Sequence, residues 1–265
     1  MTHVAWITRS ELLRIRSTKA QTWLLAAFAA AALIWSWSSS STWAHPASTY
    51  FYGAYLHLPD LALLSLMAGI YAAVEPGRDA SAIAHLIEPR RVRLALTRLA
   101  SAGAIGLGYA VLGLIAATIA AIAQPHPAPN PLSGAAPWGQ AYHLAWSLLI
   151  AFPACAIIGC AAGLLIRSIS AALTTLIPIG AIMLLAPSNI FSLSEPKFCE
   201  FLLGSAVDIA THTNNTTYGG FPDFAPGVNM YLIGPPPHVG VLILLGYTVI
   251  LSALAIWVVR RRDVV

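Results

Sequence analysis

The sequence predicts an all-α polytopic membrane protein with six transmembrane helices and both termini cytoplasmic. Three observations predict it. Of 265 residues, 58% are hydrophobic and only 9% charged, whereas an average soluble domain carries about 25% charged residues. The charges also bunch, so that none falls in 20–59, 99–166, 168–194 or 224–259. Roughly 20 apolar residues cross a bilayer at about 1.5 Å rise each, so every one of these gaps is long enough or nearly so. Finally, the basic residues gather on one side of the threading these gaps define. A soluble enzyme, a secreted disulfide scaffold and a nucleic-acid-binding domain are poor fits to such a chain. Three cysteines give no complete disulfide framework: Cys155 and Cys160 lie in an apolar run and Cys199 stands alone.

The elements follow in order as a single transmembrane domain over 1–265. A polar, basic lead over 1–19 precedes the first span at 20–38. A cleavable signal peptide is the competing reading, but its apolar core and basic lead are usually shorter. The second span, 56–75, has Pro59 at its first turn and Asp60 as a first-turn acid. Between Arg98 and Arg167 no residue is charged, and Pro125, Pro127, Pro129, Pro131 and Pro137 mark where that run turns. This gives spans at 99–123 and 142–166. A short fifth span, 171–187, is interrupted by Pro178, and an outer segment rich in Gly, Pro and Asn follows over 188–238. The sixth span, 239–259, stops at Arg260, Arg261 and Arg262.

Six spans put thirteen of the fourteen basic residues on the side of the termini, with only Lys197 opposite. The positive-inside bias makes that side cytoplasmic. The excess of base over acid therefore reports orientation, not a polyanionic partner. Trp23, Trp35, Trp37, Trp43, Trp138 and Trp257 fall near span ends, where amphipathic rings favour the headgroup layer.

Chemistry-bearing residues are few. A phosphate-cradling P-loop needs Lys after its glycines, and the only lysines, Lys19 and Lys197, follow Thr18 and Pro196. Any energy from ATP must come through another chain, and no catalytic residue is expected. Eight histidines include no His-x-x-x-His pair, and no Cys-x-x-Cys occurs, so no metal site is expected. Asp60 is the acid nearest hydrocarbon, with His57 three residues before it. It reads as an interfacial first-turn carboxylate or, alternatively, as a polar contact at the outer mouth of a substrate path. Gly159-Cys160-Ala161-Ala162-Gly163 is a Gly-x-x-x-Gly face, which permits close helix approach, within one subunit in preference to a dimer seam. Pro153 and Pro178 would kink or loosen their spans.

The loop over 76–98 is the most informative. After Glu75 comes Arg78, then Asp79 or Ser81 as caps of a short helix that Pro89 ends. Ile83, Leu86 and Ile87 recur at i, i+3 and i+4, flanked by His85, Glu88, Arg90 and Arg91. A small apolar face among charges suits a groove on a partner; a lipid-surface helix without a partner is the alternative.

On these residues the chain resembles the permease subunits of type-2 ATP-binding-cassette exporters. The likeness rests on the lead containing Arg9, Glu11, Arg14, Arg16 and Lys19, on Glu75-x-x-Arg78 followed by a short helix and Pro89-Arg90-Arg91, and on six spans ending in Arg262-Asp263. The resemblance implies that the lead is an interfacial elbow helix including Glu11 and Arg14, and that the loop after the second span is a cytoplasmic coupling helix. It implies a second permease copy, usually identical, and two copies of a separate ATPase carrying ATP and Mg, with no cofactor on this chain. Spans one, two and five would line the route, and the cargo would be amphipathic or lipid-like: a drug, an antibiotic or a peptide. A multi-pass protein of a bacterial plasma membrane is the corresponding expectation. A non-transporting membrane assembly subunit and an intramembrane haem or redox protein are the alternatives. The outer segment departs from the common pattern through Pro226, Gly227, Pro235, Pro236 and Pro237, although small re-entrant helices are expected there.

Overall fold

A computed structural model describes residues 19–41, 47–73, 91–123, 138–166, 203–211 and 237–261, all of them helical apart from the turn around His57 and with no strand among them. Helix α1 is Lys19–Ser41, α2 is Ala47–Leu56 and α3 is Ala62–Ala73. A 3-10 turn, Leu58–Leu61, joins α2 to α3. Helix α4 is Arg91–Ala123, α5 is Trp138–Ile166, α6 is Leu203–Thr211 and α7 is Pro237–Arg261. Four stretches are long and apolar enough to cross a membrane: Gly53–Ala73, Val92–Ala123, Ala141–Ile166 and Pro237–Arg261. The protein is thus an all-helical membrane protein in its described residues. Helix α1, 23 residues and about 35 Å long, is not one of the four.

Directions follow from specific contacts. Gln21 Nε2 donates to the Ala68 carbonyl and Ser36 Oγ to the Ala54 carbonyl, both at 2.8 Å, so α1 runs antiparallel to α2 and α3. The Arg98 guanidinium donates to the Ala73 carbonyl at 3.1 Å, which sets the start of α4 beside the end of α3. Gly103 packs on Ile157 and Gly106 on the Phe152 carbonyl and Pro153, so α4 and α5 are antiparallel. Ala255 joins Ala72, Leu99 and Cys160 in one buried cluster, bringing the end of α7 to the same level.

The centre of the bundle is a seam of backbone against backbone. A Cβ on Gly159 would strike the Leu66 carbonyl, one on Gly69 the Ala156 carbonyl, and one on Gly163 the Ala73 side chain. The Gly-x-x-x-Gly face therefore packs within the subunit, against α3. In lipid such contact replaces the hydrophobic drive, because apolar side chains gain nothing by leaving hydrocarbon tails. Ser65 Oγ donates to the Phe152 carbonyl across the same seam at 2.8 Å.

Two differences from the sequence reading have physical causes. Helix α4 starts at Arg91, eight residues before the expected span at 99, because arginine does not end a helix: its stem lies along apolar surface while its head reaches the interface. At 33 residues, about 50 Å, α4 is longer than a bilayer's hydrocarbon layer is thick. Residues 47–55, expected outside the second span, form most of α2. Pro59 lacks the amide that would bond the Tyr55 carbonyl, and the chain tightens into a 3-10 turn there without ending the descent. Within the outer segment, α6 is a nine-residue helix whose Ala206, Val207 and Ala210 are buried with Leu66, Ala154 and Leu244.

Candidate functional site

Two ends of the bundle differ in chemistry. At one end lies every basic residue among those described: Lys19 opens α1, Arg91, Arg93 and Arg98 occupy the first turns of α4, and Arg260 and Arg261 close α7. The end of α3 and the end of α5 meet there as well. Arg98 places a cation on the C-terminal carbonyls of α3, where the helix leaves acceptors without amide partners and carries a partial negative charge. Arg261 lies over the Trp257 ring, 4.3 Å from its centroid, a cation-π contact that holds the guanidinium at the level of the aromatic ring. The connection from Ala73 to Arg91 starts and finishes at this basic end.

Arg91, the first residue of α4, is the one member of the expected coupling set within the described residues. Glu75, Arg78, Asp79, Ile83, His85, Leu86, Ile87, Glu88 and Arg90 lie outside them, as do Glu11 and Arg14 of the expected elbow helix. The expected span 171–187 and most of 188–238 lie outside them too.

At the opposite end, the 3-10 turn brings His57 and Asp60 together. His57 Nδ1 lies 3.3 Å from Asp60 Oδ2, both side chains 42% exposed, and the Asp60 amide donates to the His57 carbonyl at 3.3 Å. The imidazole also faces Trp35 of α1, ring centroids 6.0 Å apart. The carboxylate orients the ring, the indole covers it, and both polar heads stay accessible from the surface. This end takes the start of α7 as well, where Gly240 packs on Ala206 and Ala210 of α6. Tyr55 of α2 meets Thr118 of α4 at 2.9 Å. Because the Thr118 hydroxyl donates to Leu114 at 2.7 Å, the Tyr55 hydroxyl is the donor in that pair. Among the described residues, no three His, Cys, Asp or Glu side chains come together.

Sequence reasoning missed the polar residues between the two ends. Gln21, Ser36, Ser65 and Tyr109 are all buried, and Ser65 and Tyr109 each sit singly in an apolar run. A lone polar side chain inside a span was the available signal, since such groups turn inward to find a partner. Tyr109 packs edge-on against Phe28 with ring centroids 4.8 Å apart, and Phe28 in turn meets Phe152 at 5.6 Å.

No protein-family model matches the chain and no curated protein matches it, so a functional reading rests on the chain's own residues and geometry.

Proposed function

We propose that the protein is the membrane-spanning subunit of an ATP-driven exporter, the permease of a type-2 ATP-binding-cassette system. It moves an amphipathic or lipid-like cargo out of the cytoplasm, and a separate ATPase supplies ATP and Mg. One observation carries the reading: α3 ends and α4 begins at the end of the bundle where the described basic residues collect. The charged segment between them, with its Ile83/Leu86/Ile87 face, then belongs to the cytoplasmic side under the positive-inside bias.

The chain leaves α5 at the basic end and resumes in α6 beside the first turn of α7, at the other end. An intervening crossing by residues 171–187 and a first crossing by α1 complete six spans with both termini cytoplasmic. A plasma-membrane location and a bacterial source fit the same reading.

The mechanism is mechanical. Closure of an ATPase pair pushes the loop over 74–90, and the push enters α3 and α4 together because Arg98 ties their ends. Helix α3 then carries α5 with it, since Gly69 and Gly159 leave no slack between their backbones. Helix α1 is joined to α3 through Gln21, to α2 through Ser36 and to α4 and α5 through the Phe28 ring, with no backbone-on-backbone seam of that kind, so it is an element that can change position. A second copy of the chain completes the route, and His57 and Asp60 stand where cargo leaves.

Purification of the intact chain from its own membrane is the test. Stoichiometric recovery of a nucleotide-binding chain, lost together with transport in Leu86→Asp while membrane insertion persists, is the expected result. Full association and transport in that variant would remove the assigned role of the loop.

A further inference from the structure

Among the described residues, buried uncharged polar side chains of this bundle have partners, with one exception. Gln21, Ser36 and Ser65 each donate to a carbonyl of another helix at 2.8 Å, and Ser101 and Thr211 donate within their own helices at 2.8 and 2.9 Å. Tyr109 is 2% exposed, and its hydroxyl has no hydrogen-bond partner among the described residues. A buried hydroxyl without a partner is unfavourable, more so at membrane depth where water does not reach it. Phenylalanine would fill the same space without that cost. The hydroxyl is thus explained by a partner absent from this arrangement of the helices.

What surrounds it defines that partner. Phe28 of α1 lies edge-on against the Tyr109 ring, and Phe152 of α5 closes the other side of Phe28. Ala32, Ala110 and Leu148 share the same cluster, and among the described residues no charged side chain is buried. Pro153 sits inside α5, and because proline has no amide hydrogen the Leu149 carbonyl four residues earlier loses its helical donor. Gly106 packs opposite Phe152 and Pro153, so one turn further along the antiparallel pair Tyr109 stands level with Leu149. A hydroxyl donor without a partner therefore occupies an aromatic junction, covered by the Phe28 side chain of α1.

We propose that Tyr109 is a cargo-contacting residue whose hydroxyl donates to an acceptor on an uncharged amphiphile when α1 withdraws Phe28. The ligand class is a neutral aromatic or alkyl body bearing one ketone, ester or amide oxygen. This rests on the transport reading above for the word cargo, but the binding site itself does not need it.

Benzophenone is a suitable probe, being a neutral diaryl ketone that inserts into nearby C–H bonds on irradiation. The full chain, with any ATPase that accompanies it, is placed in phosphatidylcholine nanodiscs, irradiated and mapped by mass spectrometry. Insertion is expected on α1, α4 and α5 around Phe28, Tyr109 and Phe152. Tyr109→Phe should need roughly five-fold more probe for half-maximal labelling there, as loss of one neutral hydrogen bond requires. The variant should melt no lower than the parent. Phe28→Ala, which uncovers the hydroxyl, should label at lower probe concentration. Equal labelling of the parent and Tyr109→Phe, or no labelling at this junction, overturns the proposal. The transport reading fails separately, if ATP with the recovered ATPase leaves labelling of this junction unchanged.

Discussion

The α3–α5 pair and the outer helices α1 and α7 are built on different principles. Along α5 the most apolar window is 67% buried, and along Gly53–Ala73 61%, against 17% for α7. The first pair owes its closeness to missing side chains: Gly69, Gly159 and Gly163 let backbone rest on backbone. Helix α1 instead presents Trp23 and Ile34 outward, 74% and 71% exposed, and is attached through a few hydrogen bonds and the Phe28 ring. Among the described residues, nothing lies within 4 Å of where a side chain at Gly246 of α7 would begin. The contrast separates a closely packed spine from elements with fewer neighbours, and the proposed coupling calls on both.

Substitutions can break or sharpen that contrast. The largest effect is expected for Gly159→Leu, which drives a side chain into the Leu66 backbone. It should cost about 3 kcal/mol or more and abolish a cooperative melting transition in detergent. Gly246→Leu, entering open space, should melt within a few degrees of the parent. Equal behaviour of the two would erase the distinction between spine and periphery.

Next comes Arg98→Ala, which frees the last carbonyls of α3 from their cation. Roughly 1–2 kcal/mol of stability should be lost, read as a lower melting temperature. If the coupling route through Arg98 is right, ATPase activity should also become less responsive to cargo. An unaltered response would mean that the push reaches α3 without this tie.

Gln21→Ala is expected to be milder. One hydrogen bond between membrane helices contributes about 0.6 kcal/mol on average, and Ala68 keeps its helical amide partner. Measured by thermal unfolding, a loss larger than that of Gly159→Leu would show α1 to be the anchor and the seam to be dispensable.

The fold was legible where charge marks the end of an apolar run. Helices α5 and α7 end at Ile166 and Arg261, within two residues of the expected 166 and 259. It was misread where a charged residue continues a helix: Arg91, Arg93 and Arg98 belong to α4, since a guanidinium reaches water or a carbonyl from inside the first turns. Helix α2 escaped notice because its Ser, Thr, Tyr and Gly residues give neither a charge boundary nor a strong apolar run. The Gly159/Gly163 face was visible in the sequence, but its partner was not, because Gly69 and Leu66 face it only once the turn at Pro59 has set the rotation of α3. Tyr109 was visible as a lone polar residue in an apolar run, but its lack of a partner was not. Which way its hydroxyl turns depends on Phe28 and Phe152, both far from it along the chain. His57 and Asp60 were found because a three-residue separation suffices to bring them together.

The central claim is that the segment joining α3 to α4 faces the cytoplasm, where a motor protein can hold it. His85→Cys, with Cys199 replaced by serine and Cys155 and Cys160 left buried in the bundle, allows a direct measurement with a membrane-impermeant maleimide. The account predicts labelling of residue 85 in inverted vesicles and none in intact cells. Labelling in intact cells would contradict the topology and, with it, the proposed coupling.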